Sequence, residues 1–161
     1  MGHLAVAKAL IEAGGEALLL KTTEDGRSCL HFACHNGHLE VAKALIEAGG
    51  EALLLRSTEN GASCLYFACL RGNLEVVKAL IKAGGEALLL KTTEDGYSCL
   101  HSACYVGHVP IVAHLLSLPS CAGLVGLRDR AGRTPLELAV AAGQAGAAEA
   151  MRAASGQGGT C

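Results

Sequence analysis

The chain of 161 residues repeats itself with a period of 35 residues. The segment GHLAVAKALIEAGGEALLLKTTEDGRSCLHFACHN begins at Gly2, and closely similar segments begin at Gly37 and Gly72. These three copies are identical at 23 of 35 positions, and a more divergent copy begins at Gly107. A single globular core does not require such self-similarity, whereas a stack of identical units does. The repeat therefore predicts a solenoid.

Each unit contains the pattern of two helices. In the second copy Leu39, Ala42 and Leu45 recur at helical spacing, and Gly49 and Gly50 are positioned to end that helix. A ThrGluAspGly or ThrGluAsnGly turn follows, and then a short, almost wholly apolar helix such as SCLHFAC. A helix that is apolar on most sides needs cover on both flanks, which neighbouring units in a stack supply. The composition agrees, because 51% of the residues are hydrophobic but only 3% are aromatic.

One motif recurs at the turn and the second helix of each unit. It reads GRSCLHFACHNGH from Gly26, GASCLYFACLRGN from Gly61, GYSCLHSACYVGH from Gly96 and GRTPLELAVAAGQ from Gly132. The motif resembles that of the ankyrin repeat family, and the resemblance covers residues 2–154. It implies an all-α solenoid of stacked helix-turn-helix units with short finger loops. The period exceeds the family's usual length of about 33 residues, and the additional residues lie in GGEALLLKTTEDG.

The resemblance also predicts the organisation of the chain. We expect a single solenoid over residues 1–154, made of an outer half-repeat (2–25), repeats at about 26–60, 61–95 and 96–131, and a closing repeat (132–154). A flexible tail is expected over 155–161, with an exposed thiol at Cys161.

The first outer helix has no inner helix before it in the sequence. Leu4, Ala7 and Leu10 are therefore expected to be poorly covered. We predict fraying or self-association through residues 1–20, and a biological start that differs from Met1.

Cysteine and histidine residues in GRSCLHFACHNGH raise the question of a zinc site. Cys29 and Cys34 are five positions apart, so on a helix they point about 140° away from each other and cannot close on one ion. His31 and His35 share a face, but the equivalent positions of other repeats do not preserve the pair. We therefore expect neither a metal nor another cofactor.

The six cysteines of the inner helices fit better as small apolar residues where helices approach closely. Equivalent cysteines of adjacent repeats are expected to lie about 8–10 Å apart, beyond disulfide reach, which predicts buried, reduced thiols. The resemblance implies that His31 and His101 hydrogen bond to neighbouring turns, with Tyr66 as the polar group at that place. His38 and His108 are expected to cap the outer helices or lie at the surface.

Charge and composition exclude several classes of partner. A net charge of −2 and a pI near 6.4 provide no electrostatic basis for binding nucleic acid or acidic membranes. No apolar run spans a bilayer and no export signal is visible, so we expect a reducing compartment, the cytosol or the nucleus.

Catalysis is not expected either. No acid, base and nucleophile recur at a workable spacing, and the glycines match neither GxxxxGK[ST] nor GxGxxG. The chain is therefore predicted not to be an enzyme.

Positions that differ among nearly identical repeats indicate where function resides. The resemblance places the residue after each finger glycine, and the end of each inner helix, on a concave face that binds protein partners. The predicted partner-binding residues are Arg27, His35, Asn36, Ala62, Leu70, Arg71, Tyr97, Tyr105, Val106 and Arg133. Mixed Arg, Tyr, His and Leu side chains suit a protein interface.

The same variation also has a second explanation, which is drift at surface positions after duplication. The two functional hypotheses are therefore a protein interaction module or scaffold, and a structural or idealised repeat array, or a fragment of a larger protein, that has no partner of its own.

Overall fold

The computed structural model describes residues 2–157, with side chains over residues 3–154. The helices of this part of the chain are α1 (Gly2–Leu19), α2 (Cys29–His35), α3 (Leu39–Leu54), α4 (Cys64–Leu70), α5 (Leu74–Leu89), α6 (Cys99–Val106), α7 (Val109–Leu116), α8 (Cys121–Val125), α9 (Pro135–Ala141) and α10 (Ala145–Gln157). The predicted all-α solenoid is confirmed. None of these helices is long and apolar enough to cross a membrane.

The helices form two layers. The inner layer contains α2, α4, α6 and α9 side by side, and the outer layer contains α1, α3, α5, α7 and α10. The core lies between the layers, where the inner-helix leucines Leu30, Leu65 and Leu100 are completely buried. Because each inner helix within the stack contacts inner helices on both sides, its apolar surface is covered by neighbouring repeats.

A kink at one glycine divides each of the first three outer helices. In α3 this residue is Gly50, whose φ of 54° lies in the left-handed region that a side chain disfavours. The helix then resumes for one more turn, and that turn buries Leu53 and Leu54. The additional residues of the long repeat period therefore extend the outer layer and the core.

The finger loops are short hairpins with single antiparallel bridges at Thr22–Ser28, Ser57–Ser63 and Thr92–Ser98. Neighbouring fingers are joined by a backbone hydrogen bond in which the Glu59 N–H donates to the Asp25 carbonyl over 3.1 Å. This close approach requires glycine at Gly26, because a Cβ atom there would lie 2.8 Å from the Glu59 nitrogen. The fingers therefore form a continuous edge along the inner layer.

The C-terminal end of the stack differs from the sequence-based expectation in one respect. Helix α10 continues to Gln157, so residues 155–157 are helical and do not belong to the predicted tail. The composition of the Ser-Gly-Gln segment did not indicate that the helix would continue, but each added helical residue adds an intrahelical hydrogen bond. Residues 158–161, including Cys161, lie outside the described part of the chain.

At the N-terminal end the predicted poor coverage is found at Leu10 but only in part at Leu4 and Ala7. Val6 and Leu10 are 59% and 54% exposed, whereas Leu4 and Ala7 are half-buried. An apolar groove of about 530 Å³ lies between α1 and α2. Its lining is mainly apolar and includes Leu10, Leu18 and Phe32. We call it the α1–α2 groove. Met1 lies outside the described residues.

Candidate protein-binding face

Buried histidines connect the inner helices to the next finger. The Ser28 N–H donates to His31 Nδ1 over 3.1 Å, so the ring proton is on Nε2, which donates to the Ala62 carbonyl over 3.3 Å. His101 makes the equivalent contact with the Arg133 carbonyl over 3.1 Å. Burial lowers the pKa of both histidines. The role implied by the ankyrin resemblance is confirmed.

Tyr66 occupies the histidine position in the second repeat. Its backbone N–H donates to Ser63 Oγ over 3.2 Å, which caps α4, while its ring packs edge-on against Phe67 with 5.7 Å between centroids. Burial raises the pKa of the Tyr66 hydroxyl. The ring is therefore half-buried between repeats and forms part of the inner-layer surface.

The residues that precede the outer helices bridge repeats. His108 Nε2 lies 3.2 Å from the Leu70 carbonyl, and Asn73 Nδ2 donates to the Cys34 carbonyl over 2.8 Å. His38 and His108 are the N-cap residues of α3 and α7, as expected by position, but neither side chain caps its own helix. His108 and Asn73 instead contact carbonyls at the end of the preceding repeat's inner helix, where the regular intrahelical hydrogen bonds cease.

The inner-helix cysteines are free thiols, and five of the six are buried, with Cys29 half-buried. Cys64 Sγ donates to the Leu54 carbonyl over 3.5 Å. A hydrogen bond with the Cys64 thiol, together with burial, raises the pKa of Cys34, and burial raises the pKa of Cys104 to about 12. Thiols with raised pKa values are poor nucleophiles near neutral pH.

His31 has both ring nitrogens engaged by the fold, so it has no free nitrogen for a metal. Over residues 2–157 no cluster of three or more His, Cys, Asp or Glu side chains has the arrangement of a metal site.

The predicted partner-binding residues differ in exposure. Asn36, Arg71 and Tyr105 are exposed. Those that are half-buried are Arg27, His35, Leu70, Tyr97, Val106 and Arg133. Ala62 is only 1% exposed, so its prediction as a partner contact is wrong. Its methyl group is too short to leave the finger, where its N–H is held by Thr58 Oγ1 at 3.0 Å.

Two of these residues surround Phe67 on α4. The Arg27 guanidinium carbon lies 4.9 Å from the Phe67 ring centroid, and the His35 ring packs against the same ring at 6.1 Å. The His31 ring completes the contact edge-on at 5.7 Å. Phe67 is consequently only 8% exposed, and the surface between the first and second repeats is filled.

Other predicted residues surround an opening in the face. The opening has a volume of about 370 Å³ and is lined by Tyr66, Leu70, Tyr97, Tyr105, Arg133 and Leu138, together with Ser102. We call it the Ser102 pocket. It spans the second, third and closing repeats, and its volume lies at the lower end of the range for ligand pockets, about 300–1,000 Å³.

Hydrogen bonds hold one wall of the Ser102 pocket. Arg133 Nη2 donates to the Tyr97 hydroxyl over 2.8 Å, and Arg133 Nε donates to Asp129 Oδ2 over 2.8 Å. Burial opposes ionisation of Asp129, but hydrogen bonds from the Arg133 backbone and guanidinium outweigh it and lower the pKa of that carboxyl. The Arg133 and Tyr97 side chains are therefore fixed in place without a ligand.

Sequence reasoning did not select Tyr66, Ser102 or Leu138 as site residues. The available signal was variation at one position of the motif, which holds Phe32, Phe67 and Ser102 in the first three finger-containing repeats. That position is buried at Phe67 and Ser102, although Phe32 at the N-terminal end of the stack is 43% exposed, so an argument based on expected exposure did not select it.

Comparison with protein families agrees with this architecture. A family model of ankyrin repeats in three copies matches residues 1–91, and a single ankyrin repeat model matches residues 95–125. The chain belongs to the ankyrin repeat family. Ankyrin repeats are generally protein-interaction modules. A search of curated proteins finds no match to this chain.

Proposed function

We propose that this ankyrin repeat protein binds a protein partner through the concave face formed by its inner helices and fingers. The proposal rests on the location of the positions at which the repeats differ. The core leucines and the inner-helix cysteines are the same in the first three copies, whereas nine of the ten predicted residues are exposed or half-buried. Neutral drift would also alter exposed positions of the outer helices, yet LEVAKALIEAGG and LEVVKALIKAGG differ little.

The chemistry of this face supports protein binding. Arginine and tyrosine are the residue types that contribute most to protein interfaces, and the face carries Arg71, Tyr97 and Tyr105. Tyr97 is held by Arg133, so little entropy of this side chain is lost on binding, and the stacked helices fix the backbone that carries Arg71 and Tyr105. We propose binding without catalysis, because the inner-helix thiols whose pKa shifts are resolved are shifted away from reactivity.

The proposal can be tested with two matched triple variants. One removes the concave side chains by Arg71→Ala, Tyr97→Ala and Tyr105→Ala, and the other removes exposed outer-helix side chains by Glu40→Ala, Lys43→Ala and Lys78→Ala. Peptide binders are first selected from a random display library on the unmodified chain, and both variants are checked for folding by circular dichroism.

We expect the concave triple to weaken the selected binders at least tenfold, about 1.4 kcal/mol, and the outer-helix triple to leave them unchanged. Equal effects of the two triples, or a selection that gives no specific binder, would contradict the proposal and favour an array with no partner of its own.

We also propose that the chain acts in the cytosol or the nucleus. The support is its use of buried, unpaired cysteines as core residues, which is typical of reducing compartments. Fractionation of cells that produce the protein, with thiol labelling after denaturation, tests this. Disulfide-linked protein in the secretory pathway would overturn it.

A further inference from the structure

At one position of the inner helix the side chain differs sharply in size among the repeats. It is Phe32 in α2, Phe67 in α4, Ser102 in α6 and Leu138 in α9. Ser102 is the only small residue in this series, and it lies in the middle of the stack with inner helices on both sides. The loss of a large side chain there cannot be attributed to an exposed end of the molecule.

The surroundings of Phe67 show what a large residue does at this position. Its ring packs against the His31 and His35 rings of the preceding repeat. The equivalents of these two histidines, one repeat further on, are Tyr66 and Leu70, and both line the Ser102 pocket. The pocket therefore lies where the side chain of a phenylalanine at position 102 would pack.

We propose that the Ser102 pocket receives a phenylalanine side chain from a partner peptide. The partner supplies in trans the ring that Phe67 supplies within the chain. This inference rests on the proposed function, because it names the anchor residue of the protein that binds the concave face.

The walls of the pocket favour an aromatic ring over an aliphatic side chain. Tyr66, Tyr97 and Tyr105 offer ring edges and faces, and aromatic pairs contribute about 0.5–1.5 kcal/mol beyond their buried area. Arg133, from the following finger, also lines the pocket and supplies a cation near the ring site, and Arg27 of the preceding finger supplies one to Phe67.

The polar groups of the pocket favour phenylalanine over a polar side chain. Ser102 Oγ already donates to the Tyr66 carbonyl over 3.5 Å, and the Tyr97 hydroxyl accepts from Arg133. Among the described residues no buried side-chain nitrogen or oxygen lacks a hydrogen-bond partner. An apolar ring therefore does not compete for the hydrogen bonds that Ser102 and Tyr97 already make.

The decisive variant is Ser102→Phe, which fills the pocket from within. Phenylalanine is tolerated at the same position of α2 and α4, so the variant is expected to fold, and its thermal midpoint verifies this. Ser102→Leu, which introduces the residue type that the closing repeat holds at Leu138, is a second filling variant. The matched control is Ala48→Phe, which adds the same ring at an exposed position of α3.

The probes are N-acetyl-phenylalanine amide and N-acetyl-alanine amide, titrated while the ring resonances of Tyr66, Tyr97 and Tyr105 are followed by NMR. We expect the phenylalanine probe to shift these resonances and to bind at least tenfold more weakly to Ser102→Phe and Ser102→Leu. The alanine probe should produce no shifts, and Ala48→Phe should bind the phenylalanine probe as the unmodified chain does. An absence of shifts, or shifts that persist in both filling variants, would overturn the inference.

Display selection separates failure of this inference from failure of the proposed function. Selected peptides that share a phenylalanine and lose at least tenfold in affinity on Ser102→Phe support both. Peptides that lose affinity on the concave triple variant but bind Ser102→Phe unchanged overturn the pocket inference and leave the proposed function standing. Peptides that are insensitive to both variants overturn both.

Discussion

The α1–α2 groove and the Ser102 pocket are both openings that the stacked helices leave uncovered, but the two openings arise in different ways. Beside α2, within residues 2–157, no inner helix packs on the side away from α4, which leaves a long groove of about 530 Å³. At the Ser102 pocket the neighbouring inner helices are in place and one side chain is small, which leaves about 370 Å³. The two openings therefore differ both in size and in the elements that border them.

The chemistry of the two openings differs as well. The groove is lined mainly by aliphatic residues such as Leu10, Leu18 and Leu45, which suits the apolar face of a helix. The pocket combines three tyrosines with Arg133, which suits one aromatic side chain. We therefore expect self-association at the groove and peptide recognition at the pocket.

The largest expected effect is on the free energy of unfolding, and it compares buried leucines near the two openings. Leu30→Ala and Leu100→Ala each remove a completely buried leucine, at a cost of about 2–5 kcal/mol in the free energy of unfolding. Leu30 lies on α2 beside the open groove, where α1 can relax into the space, so Leu100→Ala should cost more. Urea unfolding measures both costs, and a larger loss for Leu30→Ala would contradict the expectation that α1 relaxes into the space left beside α2.

The second prediction concerns self-association through the groove. Leu10 is 54% exposed at its edge, so Leu10→Glu should place a charge in any contact between copies and weaken association at least tenfold. Light scattering over a range of protein concentrations measures this, with Val140→Glu at the opposite end of the stack as the control. A monomeric unmodified chain at every concentration would show that the groove does not pair copies.

The third prediction is a loss of stability in acid, due to the buried histidines. Burial lowers the pKa of His31 and His101 in the folded protein, whereas the unfolded chain titrates near 6.5. The unfolded chain then binds more protons, so the free energy of unfolding falls as the pH drops below about 6.5 toward the folded-state values. Above that pH the contribution is fully present.

Chemical unfolding at about pH 7 and pH 5 checks this dependence. The double variant His31→Gln and His101→Gln should show a weaker loss over that interval than the unmodified chain. The single variants compare the groove end with the pocket end, and an unchanged dependence in the double variant would assign the acid sensitivity to other groups.

The smallest expected effect is on the pocket wall. Tyr97→Phe removes the hydroxyl that accepts from Arg133, but Arg133 retains its ion pair with Asp129 at 2.8 Å. Because the Arg133 side chain is 40% exposed, we expect a cost below about 1 kcal/mol in thermal unfolding. A cost above about 2 kcal/mol would mean that the wall depends on this hydroxyl far more than its exposed setting implies.

Much of the fold could be predicted from the sequence because the repeat reveals the stacking directly. The inner helices, the burial of their cysteines and the histidine contacts with the next finger follow from a pattern that recurs. The helical turn after Gly50 was not predicted, because GluAlaLeuLeu following two glycines reads locally as a loop.

The site was harder to predict because it depends on contacts between repeats. Ala62 occupies a variable motif position, yet its short side chain is buried in the finger. Ser102 is itself only 2% exposed, and its importance lies in the space that it leaves among residues of neighbouring elements. Such a space is a property of the assembled stack and is not encoded at a single position.

The most direct test of the account is amide hydrogen exchange on the unmodified chain, with and without the strongest selected peptide. If the concave face is the binding surface, protection will increase at α4, α6 and the finger that carries Tyr97, while α3 and α5 will not change. Increased protection at those outer helices, or only along the α1–α2 groove, would contradict the account.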